Sequence, residues 1–97
     1  MATYILLSNF TDQGIRSVKD TTKRAEAFRE TARKLGANIK DIYWTLGKYD
    51  VIATVEAPDA ATVTAVSLTL AAAGNVRTQT LAAFSANEMG QVLGKMT

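Results

Sequence analysis

Tyr43-Trp44-Thr45-Leu46-Gly47-Lys48-Tyr49-Asp50-Val51-Ile52-Ala53-Thr54-Val55 is a pair of β-type runs joined by a short polar loop. Aromatic and β-branched residues fill both sides, and Gly47 enters the loop where positive φ carries no steric cost. The stretch reads as a β-hairpin. Working outward, its strands cover Ile39 to Leu46 and Val51 to Ala57.

Upstream of the hairpin, the period changes to that of a helix from about Thr22. Ala25, Phe28, Ala32 and Leu35 recur at steps of three and four, while Lys23, Arg24, Glu26, Arg29, Glu30, Arg33 and Lys34 occupy the other faces. Asp20, Thr21 or Thr22 is placed to cap this helix, and Gly36 to end it in left-handed geometry. Before it, Thr11 to Gly14 is a polar turn and Ile15 to Lys19 a short irregular or helical link. Thr3 to Phe10 alternates Tyr4, Leu6, Ser8 and Phe10 with Ile5 and Leu7, which predicts a central strand with both faces largely apolar.

Downstream, Pro58 cannot continue a central strand and Asp59 suits a helix N-cap. Val63, Val66, Leu70 and Ala73 then repeat the helical spacing until Gly74-Asn75, and Val76 to Ser85 reads as a fourth strand. The order βαββαβ is the ferredoxin-like arrangement, an α+β fold. Right-handed crossovers place the four antiparallel strands in the order 4-1-3-2 with both helices on one face. The other face carries apolar side chains and lies open, so two copies are expected to pack as a dimeric α/β barrel. The domain is expected over residues 1–85. Residues 86–97 form a tail, with a short helix over 87–95 whose apolar side covers an edge or a neighbouring subunit.

Composition narrows the chemistry. The 97 residues include no cysteine and no histidine, with 47 % hydrophobic and 21 % charged residues and a net charge of +2. Disulfides, thiolate nucleophiles and histidine-based metal or triad chemistry therefore cannot come from this chain. No apolar run has membrane-spanning length. The first ten residues read as a strand and not a signal segment, so the expectation is a cytoplasmic protein without cofactors. Seven of the eleven basic residues lie between Arg16 and Lys34. Glu26 and Glu30 interleave with them, which favours a solvated helix face over a nucleic-acid surface.

The blocks Tyr43 to Asp50, Glu56-Ala57-Pro58-Asp59 and Gly74 to Leu81 resemble those of the GYD-domain family. The Gly-x-Tyr-Asp motif is present as Gly47-Lys48-Tyr49-Asp50, with a lysine where family members often carry an acid. The resemblance spans Tyr4 to about Ser85. It implies a ferredoxin-like, dimeric α/β-barrel-type protein and brings no assigned activity.

Candidate ligand-binding residues follow from the topology, which brings the hairpin tip, the exit of strand one and the start of helix one to one end of the sheet. Trp44, Tyr49, Asp50, Arg77 and Arg24 form the candidate set, in which Asp50 and Arg77 fix a polar ligand and an aromatic ring walls the pocket. The competing reading has Asp50 capping the hairpin while the aromatics pack. Glu56, at the other end of strand three, is either a carboxylate of raised pKa or a partner for a nearby lysine. Three functions fit. The preferred one is a homo-oligomeric binding or regulatory module for a small polar or aromatic ligand. The alternatives are a cofactor-free monooxygenase- or isomerase-like enzyme and an interaction protein without a pocket.

Overall fold

A computed structural model describes residues 1–96. Strand β1 (Ala2–Phe10) is followed by the short helix α1 (Asp12–Arg16), a 3-10 turn at Val18–Asp20 and helix α2 (Thr21–Lys34). The hairpin of β2 (Asn38–Trp44) and β3 (Val51–Ala57) leads to α3 (Ala60–Ala72), β4 (Val76–Ala83) and α4 (Ala86–Gly94). The sheet order is β2-β3-β1-β4 with every pairing antiparallel, as the topology predicts. The sheet is open and does not close into a barrel within one chain.

Strand alternation divides β1 and β3 cleanly. Tyr4, Leu6 and Ser8 on β1 and Ala53, Val55 and Ala57 on β3 are buried beneath the helices, whereas Ile5, Leu7, Ile52 and Thr54 lie on the opposite face and are half-buried. Burial is deepest where α2 contributes Ala32 and α3 contributes Val63 and Val66. Small residues at Ala32, Ala37, Ala53 and Ala57 let the backbones of the two layers approach. Arg29 ties α2 to the sheet, its guanidinium donating to the Ile39 carbonyl at 2.8 Å.

Local chemistry accounts for most boundaries. Asp59 caps α3 by accepting from the Thr62 N–H at 2.8 Å. Gly36 and Gly74 end α2 and α3 at φ of 95° and 88°. Strand β2 stops two residues earlier than its β-type run, because Thr45 turns inward to Asp50 and Tyr49: its N–H donates to Asp50 O and its hydroxyl to Tyr49 O. Leu46 is left fully exposed. The β2–β3 register also shifts between Ile39 and Asp41, a bulge that leaves Lys40 outside the regular pairing.

The polar turn expected at Thr11 to Gly14 leads directly into a helix. Thr11 caps α1, its hydroxyl accepting from the Gly14 N–H at 3.0 Å. Leu35, assigned to the apolar stripe of α2, ends the helix instead and is 41 % exposed.

At α4, Ser85 and Glu88 form a reciprocal capping box. The Ser85 N–H and hydroxyl hold the Glu88 carboxyl below its ordinary value of 4.5. A depressed carboxyl stabilises the folded form above pH 4.5 and loses that contribution as the pH falls through its folded value. Hydrogen exchange of the Met89 and Gly90 amides should therefore quicken as the pH drops below 4.5, after correction for intrinsic exchange. In Glu88→Gln, which keeps an acceptor that does not titrate, protection should stay flat over the same window. An equally steep acid response in that variant would show that the box is not its source.

Candidate functional site

Two surfaces compete for function, one on each side of the sheet. The first is a cleft of about 240 Å3 between α2, α3 and the helix-facing side of the sheet. Its floor carries Leu6, Ser8 and Phe10 from β1 and Val51 and Ala53 from β3, with Trp44 from β2 alongside. The cleft exists because small side chains, Ala25, Ala53, Ala73 and Ser8, stand where larger ones would fill the space between the helices. Most of its wall is apolar.

Three side chains give the cleft its chemistry. Ser8 is 4 % exposed, and its hydroxyl takes part in no hydrogen bond among the described residues. Among the described residues no fully enclosed side-chain polar atom lacks a partner, so the Ser8 hydroxyl keeps its access through the cleft. Trp44 is fixed by its indole N–H, which donates to the Thr21 hydroxyl at 3.0 Å. Arg24 is half-buried on α2, and its guanidinium donates to the carbonyls of Ser17 at 2.7 Å and Gly14 at 3.2 Å. No carboxylate lies within ion-pair distance of Arg24 among the described residues.

The remaining candidates lie outside this cleft. Asp50 binds the hairpin to the end of β1, its carboxylate accepting from the Phe10 N–H at 2.9 Å and its own N–H donating to Ser8 O at 2.9 Å. Tyr49 reaches the opposite side of the sheet, where its hydroxyl donates to Gln79 Oε1 at 3.3 Å. Arg77 is exposed on that same side, across from Asn9. The structure thus joins Trp44 and Arg24 at the cleft and separates them from Tyr49 and Arg77. Ser8 was not singled out from the sequence, although a hydroxyl among Tyr4, Leu6 and Phe10 on one strand face is a visible interruption of an apolar set.

The second surface is the open sheet face. Ile5 and Leu7 lie at its centre, Ile52 beside Leu7 on β3 and Leu81 beside Ile5 on β4, with Tyr43 62 % exposed on β2. Polar groups border this band. Arg77 and Gln79 lie on β4, and Asp41, Thr54 and Glu56 lie toward the far corner on β2 and β3. The Asp41 carboxylate accepts from the Thr54 hydroxyl at 2.9 Å, while Glu56 pairs with Lys40 at 3.6 Å. The lysine-partner reading of Glu56 is the one realised. No described element covers this face.

Among the described residues there is no cluster of three carboxylates suited to a metal ion, and no helix long and apolar enough to cross a membrane. Against known families, the model of the GYD domain matches residues 4–93. A curated relative from Thermus thermophilus, named glutamine synthetase and cystathionine beta-lyase binding protein, is 43 % identical over 84 residues. That alignment covers 86 % of this chain and 88 % of the relative.

Proposed function

Because this chain belongs to the GYD-domain family, we propose that it is a regulatory interaction module that pairs with itself and binds a metabolic enzyme. The observation that carries this reading is the uncovered apolar face of the sheet. Ile5, Leu7, Ile52, Leu81 and Tyr43 form one contiguous band, and a patch of that kind on a small domain marks a protein contact. The relative's name supplies the class of enzyme to test first, glutamine synthetase or cystathionine beta-lyase. The regulatory part of the reading draws on the helix–sheet cleft, which offers a small molecule a place within the same domain.

A second copy fits the open face by charge. Arg77 lies at one corner, beside Asn9, and Asp41 lies toward the diagonally opposite one, beside Thr54. A two-fold axis lying in the interface along the other diagonal brings the cationic corner of each copy over the acidic corner of its mate. Each pair then occurs twice.

Arg77→Glu and Asp41→Arg should each weaken self-association by about 10-fold, and the double variant should recover most of that loss. Sedimentation equilibrium reads the constants, and failure of the double variant to recover rules out this arrangement. Purified glutamine synthetase and cystathionine beta-lyase from the same organism, titrated against the protein, test the enzyme-binding half. Binding of neither would sink it.

A further inference from the structure

We infer that the helix–sheet cleft binds a small monocarboxylate with an aromatic or branched apolar body. This deepens the regulatory reading above and rests on it, naming the chemistry of the molecule that such regulation would use.

Size comes first. An apolar protein cavity of about 150 Å3 accommodates benzene, so the 240 Å3 of this cleft suits a ring with a short side chain. The apolar lining of Leu6, Phe10, Phe28 and Val51, with Trp44 alongside, sets the body of the ligand. Thr31, Thr69 and Asn75 also line the cleft, but its wall is mostly apolar, so a charged or sugar-like body would lose more water there than these groups replace.

Two lining groups, Ser8 and Arg24, have hydrogen-bonding capacity to offer a polar end of the ligand. Ser8 is more than nine-tenths buried, yet its hydroxyl makes no bond to any described residue. Because it keeps access through the cleft, that hydroxyl is free to bond a group seated there. Arg24 lines the same cleft, and its three hydrogen bonds go to uncharged oxygens of Ser17 and Gly14. A guanidinium has five donors, so it retains capacity for an anion. Among the described residues no carboxylate lines the cleft, so nothing inside it compensates that charge or attracts a cation. An anionic ligand group is favoured over a neutral one, and a neutral one over a cation.

Trp44 is the sole tryptophan of the chain and lies against the cleft, so its fluorescence reports occupancy directly. The probes are 3-phenylpropanoate, 3-phenylpropanol and 3-phenylpropylammonium, which share a body and differ in charge. Titration of the intact protein, followed by Trp44 emission and calorimetry, should show saturable binding of the carboxylate. The alcohol should bind about 5-fold or more weaker, and the ammonium should not bind measurably. Ser8→Ala should weaken the carboxylate about 5-fold. It should leave the melting temperature unchanged or higher, since the hydroxyl makes no hydrogen bond among the described residues. Arg24→Gln should abolish the preference for the carboxylate over the alcohol.

Equal affinity for all three probes, or a preference for the ammonium, would overturn the assigned ligand class and leave the cleft as a site of other chemistry. No binding of any probe, or binding indifferent to Ser8→Ala, would overturn the inference itself. The measurement uses the protein alone, so self-association and enzyme binding stand or fall by their own tests.

Discussion

Gly14→Ala should lower the melting temperature by about 15 °C, a loss of about 3 kcal/mol for a chain of this length. Propensity alone points the other way, because alanine is the better helix former by about 1 kcal/mol. Packing decides the sign. Gly14 is buried in α1, and a Cβ there would lie 1.9 Å from Asn75 O and 2.8 Å from Asn75 C. Both are backbone atoms at the entry to β4, so no side-chain rotation relieves the clash.

The helix would have to lift away, and the bonds that seat it would go together. Those are the Thr11 N–H to Asn75 O at 3.1 Å, the Thr11 hydroxyl to Gly74 O at 2.6 Å and the Gln13 amide to Ala73 O at 3.1 Å. At about 1 kcal/mol each, their loss together with the displaced packing outweighs the propensity gain. Thermal and urea denaturation measure the change. A variant as stable as the parent would mean that α1 is not seated against Asn75 as described.

The largest effect on assembly should come from Ile5→Glu. Ile5 is half-buried at the centre of the open face, opposite Thr54 on one side and Leu81 on the other. In a single copy the glutamate points toward water, so the fold should lose little. In the proposed pair it would be enclosed, and a two-fold contact would enclose two of them. A penalty of about 2 kcal/mol or more per copy raises the dissociation constant by about 1,000-fold or more. Sedimentation velocity should find a monomer with an unchanged circular dichroism spectrum. Pairing that persists in this variant would remove the open face from the interface.

The elements whose cues were local could be read from the chain. Asp59 and Gly74 bracket α3 in the sequence as they do in space, and Val51 to Ala57 spans β3 as expected. The apolar residues on both faces of β1 likewise anticipated its place inside the sheet, and the crossover topology anticipated the open face. Less legible was α1, since Gly14 inside Asp12-Gln13-Gly14 signals a turn when seen alone. Its reason lies 61 residues away at the Asn75 carbonyl, a contact that no local pattern encodes.

The candidate site divided for a similar reason. The topology brings Trp44, Tyr49, Asp50, Arg24 and Arg77 toward one end of the sheet but does not say on which side of it each points. Strand parity placed Trp44 beneath the helices and Arg77 on the open face. The hairpin loop took Tyr49 across to Gln79, and Asp50 met its nearest donor at Phe10. Ser8 drew no attention because a serine on a strand is ordinary until burial and the lack of a partner are both seen.

The bulge at Lys40 bears on the behaviour of the protein at high concentration. Strand β2 is an edge of the sheet, and a regular edge offers unpaired amides and carbonyls on which another strand can grow. Here the ladder loses step between Ile39 and Asp41, and a cation stands at the break. Edge-to-edge stacking into fibrils is thereby discouraged. The proposed pairing through the face, in contrast, would be complete at two copies, so crowding should fill pairs without seeding polymers.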